Sequence, residues 1–121
     1  MNVVINLKDK FDQFSDQWSP KIIASLNGQY VKLAKIEGEF LWHAHDEEDE
    51  LFFVIKGTLC IEMDDKTVEI TEGEMYIVPK GVMHKPYTKH GEVHVLLFEP
   101  METTHTGSVV TERTVSDQSW I

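Results

Sequence analysis

From residue 22 onward apolar side chains recur at every second position, in short runs divided by glycine, proline, asparagine and aspartate. That is the spacing of strands that bury one face. Runs at 22–24 and 30–36 flank Asn27-Gly28, a dipeptide suited to a tight hairpin turn. The same pattern predicts strands at 39–45, 50–55, 59–63, 67–70, 75–78, 85–88 and 93–99, with turns at Asp64-Asp65-Lys66, at 71–74 and at Pro79-Lys80-Gly81. Many short strands with a turn every roughly eight to twelve residues predict an all-β antiparallel sandwich or barrel. Helical spacing occurs only at 8–18, where Phe11, Phe14 and Trp18 recur at steps of three and four and Pro20 ends the segment. Past residue 100 a polar, turn-rich stretch gives way to Val109-Val110 and a terminal Trp120-Ile121. This predicts an arm that docks by its end, on its own barrel or on a second subunit. The expected organisation is an N-terminal segment with a short helix (1–20), a barrel (21–100) and a C-terminal arm (101–121).

Composition narrows the partners. A chain of 121 residues is expected to be one domain with a single core. Its net charge of -10 argues against nucleic-acid binding and against anionic membrane surfaces. Cys60 is the one cysteine, which excludes an internal disulfide and fits a reducing compartment. No apolar run approaches the length of a membrane span, and the first residues lack the order of a secretory signal, so a cytoplasmic protein is expected.

Chemistry concentrates in two glycine-bracketed segments. Gly38 precedes His43 and His45, a charged turn at 46–49 follows, then come Glu50 and Gly57; the second segment holds Gly73, Pro79, Gly81 and His84. Side chains two apart on a strand point the same way, so His43 and His45 can aim at one point. A hairpin through the charged turn would fold Glu50 back beside them, and His84 would arrive from the later strand. Three imidazoles and a carboxylate suit one divalent transition metal: zinc, copper, iron or nickel through the imidazoles, with iron and manganese also admitted by the carboxylate.

These segments resemble the two motifs of the cupin superfamily: glycine, two histidines, glutamate, glycine, and then glycine, proline, glycine, histidine. The resemblance covers residues 38–88 and implies a double-stranded β-helix, or jelly-roll, barrel of the small single-domain bacterial type. It also implies that His43, His45, Glu50 and His84 bind the metal. Four residues separate Gly38 from His43 where the family more often has five, and Thr88 stands where the second motif often ends in asparagine. Neither departure removes a ligand.

Period-two phasing extends the site. If His43 and His45 face inward, so does Leu41; if Glu50 does, so do Phe52 and Val54. These three are pocket-wall candidates. His94, inside the apolar run 93–98, would sit near the metal on the inner face and be an exposed residue on the outer one. Phe40, Trp42, Phe53, Tyr76 and Phe98 could also wall a pocket, but most of them read as ordinary core, Cys60 reads as a buried inert thiol, and the acidic run 46–49 as a solvated turn.

Such a site supports two chemistries. With iron, nickel or copper it gives a dioxygenase; with zinc or manganese it gives an isomerase or lyase acting through an enediolate. Glu50 is the ligand that could detach as a general base. The rival reading is a non-catalytic small-molecule binding or sensor protein. The resemblance and the need to cover sheet edges also lead us to expect a homodimer.

Overall fold

The computed structural model describes residues 3–101 and 118–121. After a short helix α1 (Leu7–Phe11) come eight strands: β1 (Lys21–Leu26), β2 (Gln29–Ile36), β3 (Glu50–Lys56), β4 (Leu59–Met63), β5 (Thr67–Ile70), β6 (Met75–Val78), β7 (His84–Thr88) and β8 (Val93–Pro100). They form a five-stranded sheet in the order β1-β2-β8-β3-β6 and a three-stranded sheet in the order β5-β4-β7. All the ladders are antiparallel. The β1–β2 hairpin turns at Asn27 (φ 49°) and Gly28 (φ 77°), the pair of left-handed residues that matches strand twist.

The core between the sheets is dictated by alternation. On β8 Val93, Val95, Leu97 and Glu99 are buried while the residues between them are half-buried. On β3 the buried set is Glu50, Phe52 and Val54. These residues meet Ala34 and Ile36 of β2 and Leu59, Ile61 and Met63 of β4 in one apolar cluster. Gly57 closes β3 with φ 88°, and a Cβ there would come within 3.0 Å of Val93 Cγ2, so the close approach of β8 requires a glycine.

Two expected elements differ. The helix ends at Phe11 instead of running to residue 18. Phe11 packs on the outer face of the larger sheet with Ile23, Leu33 and Phe14, whereas Trp18 packs against the cluster between the sheets. One helical stripe cannot serve both sides, so the chain leaves the helix and crosses over. Trp18 reaches its place with φ 56°, its backbone N–H donating to Lys35 O and its indole Nε1–H to Glu37 O.

The second difference is the strand expected at 39–45, which is reduced to two isolated bridges, Glu39 with Tyr87 and His43 with His84. Between them Phe40, Leu41 and Trp42 face only Lys85 and Pro86. Pro86 has no N–H to give, so a continuous ladder cannot form there. The chain terminus does dock on its own barrel: Ile22 N–H donates to Ser119 O and Ile121 N–H to Ile22 O, which lays the last residues beside β1. The remainder of the expected arm lies outside the described residues.

Candidate metal centre

The paired segments deliver the donors. His43 and His84 exchange both backbone hydrogen bonds, at 3.0 and 2.9 Å, which fixes two rings side by side with centroids 4.3 Å apart. Glu50 opens β3 on its inward phase, and the turn before it brings His45 alongside, with His45 Nε2 3.0 Å from Glu50 Oε1. The ligand atoms of His43, His45, Glu50 and His84 all lie within 4.8 Å of one another, and all four residues are buried. Donors about 2.1 Å from a common ion sit at most about 4.2 Å apart, so a few tenths of an ångström of closure completes the set.

Hydrogen bonding behind the rings selects the ligating nitrogen. His43 Nδ1 faces Leu41 O at 3.0 Å, and His84 Nδ1 faces Val82 O at 2.9 Å. A carbonyl only accepts, so each Nδ1 carries the hydrogen and each neutral ring keeps its lone pair on Nε2, toward the common point. His84 Nε2 is buried without a hydrogen-bond partner among the described residues, and Glu50 Oε1 lies 3.7 Å away. A bare buried acceptor costs about 1–3 kcal/mol, which coordination to an ion would offset. The residues therefore fit a metal.

Electrostatics divide the group. Burial, reinforced by the neighbouring His84, lowers the His43 pKa to about 4, so this ring is neutral and ready to ligate. Burial also disfavours charge on His45, but the hydrogen bond and the charge of Glu50 outweigh it and raise that pKa. For Glu50 burial pushes upward, while donors from His45, His84 and Glu99 hold the carboxyl well below its usual range.

Two participants were not anticipated. Lys32 and Glu99 are fully buried, with Lys32 Nζ 2.9 Å from Glu99 Oε1. Register explains the meeting. On β2 and β8 Lys32 pairs with Leu97 and Glu99 with Tyr30, so the two side chains are diagonal neighbours on the inner face. Glu99 also lies across from Glu50, one step past the Leu51–Phe98 pair of β3 and β8. Burial and the negative charge of Glu50 drive the Glu99 carboxyl well above its usual range, which favours its protonated form beside Glu50. A line Lys32–Glu99–Glu50–His45 thus crosses the lumen. The signal was present in the sequence: Lys32 shares phase with Ala34 and Ile36, and Glu99 with Val95 and Leu97.

Next to the donors is a cavity of about 40 Å³, walled by Trp18, Phe40, Phe52 and Leu97 and reached by His43 and Glu50. Of the predicted wall residues, Phe52 lines it. Val54 points the same way but is sealed in the core with no exposure. Leu41 is half-buried and contributes its carbonyl to His43, not its side chain to the wall. His94 is neither near the metal donors nor free on the surface. It lies on the outer face, stacked on Phe11 at 4.5 Å and bonded to Glu92 at 3.0 Å. Trp18 and Phe40, stacked at 4.6 Å, take the wall places assigned to Leu41 and Val54.

Comparison with known proteins agrees with this geometry. The Cupin domain family matches residues 29–99. The crystal structure of a cupin-2 domain containing protein from Shewanella frigidimarina superposes with a TM-score of 0.78 at 48% identity, over 80% of this chain and 94% of that one. The uncharacterized protein YdbB of Bacillus subtilis is 36% identical over 80 residues, 65% of this chain and 65% of its own. The 3-hydroxyanthranilate 3,4-dioxygenase of Xenopus laevis is 26% identical over 107 residues, 82% of this chain but 37% of the enzyme. The match thus spans less than two thirds of the length of either curated relative.

Proposed function

The chain belongs to the cupin family, and from that premise we propose that it is a metal-dependent enzyme acting on a small molecule, with dioxygenase chemistry. Its ion is one divalent transition metal held by His43, His45, Glu50 and His84. The observation that carries this reading is the convergence of four buried donor groups within 4.8 Å. The likeness to 3-hydroxyanthranilate 3,4-dioxygenase favours oxygen chemistry over an isomerase or lyase.

When bound, an iron, nickel or copper ion supplies both a Lewis acid and a redox centre. The chain supplies the rest. His43 and His84 present Nε2 because their Nδ1 hydrogens are engaged. We assign Glu50, the carboxylate that reaches the cavity, as general base for a substrate held there. Trp18, Phe40 and Phe52 line that space with aromatic faces.

Elemental analysis of untagged protein, followed by oxygen-uptake measurements, tests the proposal. Iron, nickel or copper near one equivalent is expected. Protein that carries only zinc and consumes no oxygen would remove the oxygenase reading and leave a small-molecule binder.

Two finer points belong to the same proposal. The exposed Leu26 and Trp120 beside β1, an edge strand, favour a homodimer. The single buried Cys60 favours the cytoplasm. No helix among the described residues is long and apolar enough to cross a membrane.

A further inference from the structure

The wall of the cavity has a single chemistry. Trp18, Phe40 and Phe52 supply aromatic faces, Ala34, Val95 and Leu97 aliphatic ones, and polar groups enter only from His43 and Glu50. No lysine or arginine lines it among the described residues. The one buried lysine among them, Lys32, is paired with Glu99 at 2.9 Å. Arg113, the chain's one arginine, lies outside the described residues. The volume of about 40 Å³ is room for roughly three waters, about the space of one small ring.

We infer that the substrate of this site is a small, ring-sized molecule with one polar end for the metal and an uncharged, apolar remainder. Molecules whose body carries a carboxylate are excluded. This rests on the metal reading above and adds to it the class of ligand. A carboxylate on the body would lose its water without gaining a cation, against aromatic and aliphatic walls. The polar end alone is exempt, because the ion replaces its hydration. The inference separates this chain from its dioxygenase relative, whose named substrate, 3-hydroxyanthranilate, is an aromatic carboxylate.

A matched pair of ligands tests it. 2-Aminophenol and 3-hydroxyanthranilate offer the same adjacent amine and hydroxyl, and the second adds only the carboxylate. The full chain is loaded with zinc, which is redox-inert, so binding is read without turnover. Zinc content is measured before any ligand is added; failure to take up zinc would overturn the metal reading, separately from the ligand result. Each ligand is then titrated by calorimetry and by quenching of tryptophan fluorescence, to which Trp18 in the wall contributes. 2-Aminophenol is expected to bind more tightly by about tenfold or more. Equal or tighter binding of 3-hydroxyanthranilate, or no binding of 2-aminophenol to zinc-loaded protein, would overturn the inference.

Discussion

The two faces of the five-stranded sheet obey the same alternation yet hold opposite chemistries. Outside, α1 lays Phe11 over Ile23 and Leu33, and His94 is stacked on Phe11 and bonded to Glu92. Inside, six buried polar residues (Lys32, His43, His45, Glu50, His84 and Glu99) share the lumen with the apolar core. The outer polar groups have water as an alternative partner. The inner ones have each other and the carbonyls of Leu41 and Val82, and four of them are placed to hold an ion. Period-two patterning sorts residues by face, but where inward polar positions from neighbouring strands fall into register, the inner face becomes a site.

The severest way to break that inner order is to remove one member of the buried Lys32–Glu99 pair and leave the other. Lys32→Met strips the cation from Glu99 and Glu50 and is expected to destabilise the fold by about 3–5 kcal/mol, read as a lowered urea midpoint. Adding Glu99→Leu should restore part of the loss, because an apolar pair of similar volume needs no partner. A double mutant less stable than Lys32→Met would show that the pair is not the unit of stability described here.

Next comes a contrast between adjacent residues on opposite faces of β8. Leu97→Ala removes a buried side chain from the cavity wall and is expected to cost about 2–5 kcal/mol. Leu96→Ala, half-buried against the outer cluster, should cost less than half of that. Equal losses would mean that the outer layer is packed as tightly as the lumen.

A pH experiment on metal-free protein isolates one inner histidine. Folding lowers the His43 pKa from 6.5 to about 4. The unfolded chain therefore binds more protons between those values, and the contribution of a neutral His43 is present above about pH 6.5 and lost as pH falls toward about 4. Its size is of order 3 kcal/mol. His45 has the opposite sign: its pKa is raised, so its stabilisation is present below pH 6.5 and fades as pH rises through the folded value. His43→Gln should therefore flatten the loss of stability on acidification below about pH 6.5. A variant with the wild-type pH profile would place the titration elsewhere. With metal present, acid should also weaken binding, since every ligand must shed its proton.

Much of this was legible in the sequence because the signals are local. Strands β4, β5 and β6 start and stop where turn residues demand, and the four donors stand out by their spacing and by the resemblance of their two segments to the cupin motifs. What escaped depended on pairing across the chain. The helix was overextended because Phe11, Phe14 and Trp18 fit one stripe in sequence, whereas the fold sends Trp18 to the other side of the sheet. The strand at 39–45 failed because Pro86, opposite it, is distant in sequence. Lys32 and Glu99 were phased inward by their own neighbours, but their contact exists only in the β2–β8 register. Leu41 was phased as if its segment were a regular strand, and the bulge opposite Pro86 frees its carbonyl for His43 instead.

The smallest effect is the sharpest test of the division between faces. His94 lies on the central strand β8 and His84 on the edge strand β7, and of the two only His84 has a bare Nε2 inside the lumen. His94→Ala removes a stacked ring at 4.5 Å from Phe11 and should cost about 0.5–1.5 kcal/mol of stability. Its effect on metal affinity should stay within about twofold, the scatter of substitutions that touch no part of a site. His84→Ala, measured by the same chelator competition, should instead lose most of the affinity, because it removes a donor outright. If the two variants lost metal equally, the sheet would not insulate its faces. The outer histidine would then belong to the centre, through the Val93 and Val95 positions that flank it on the inner side.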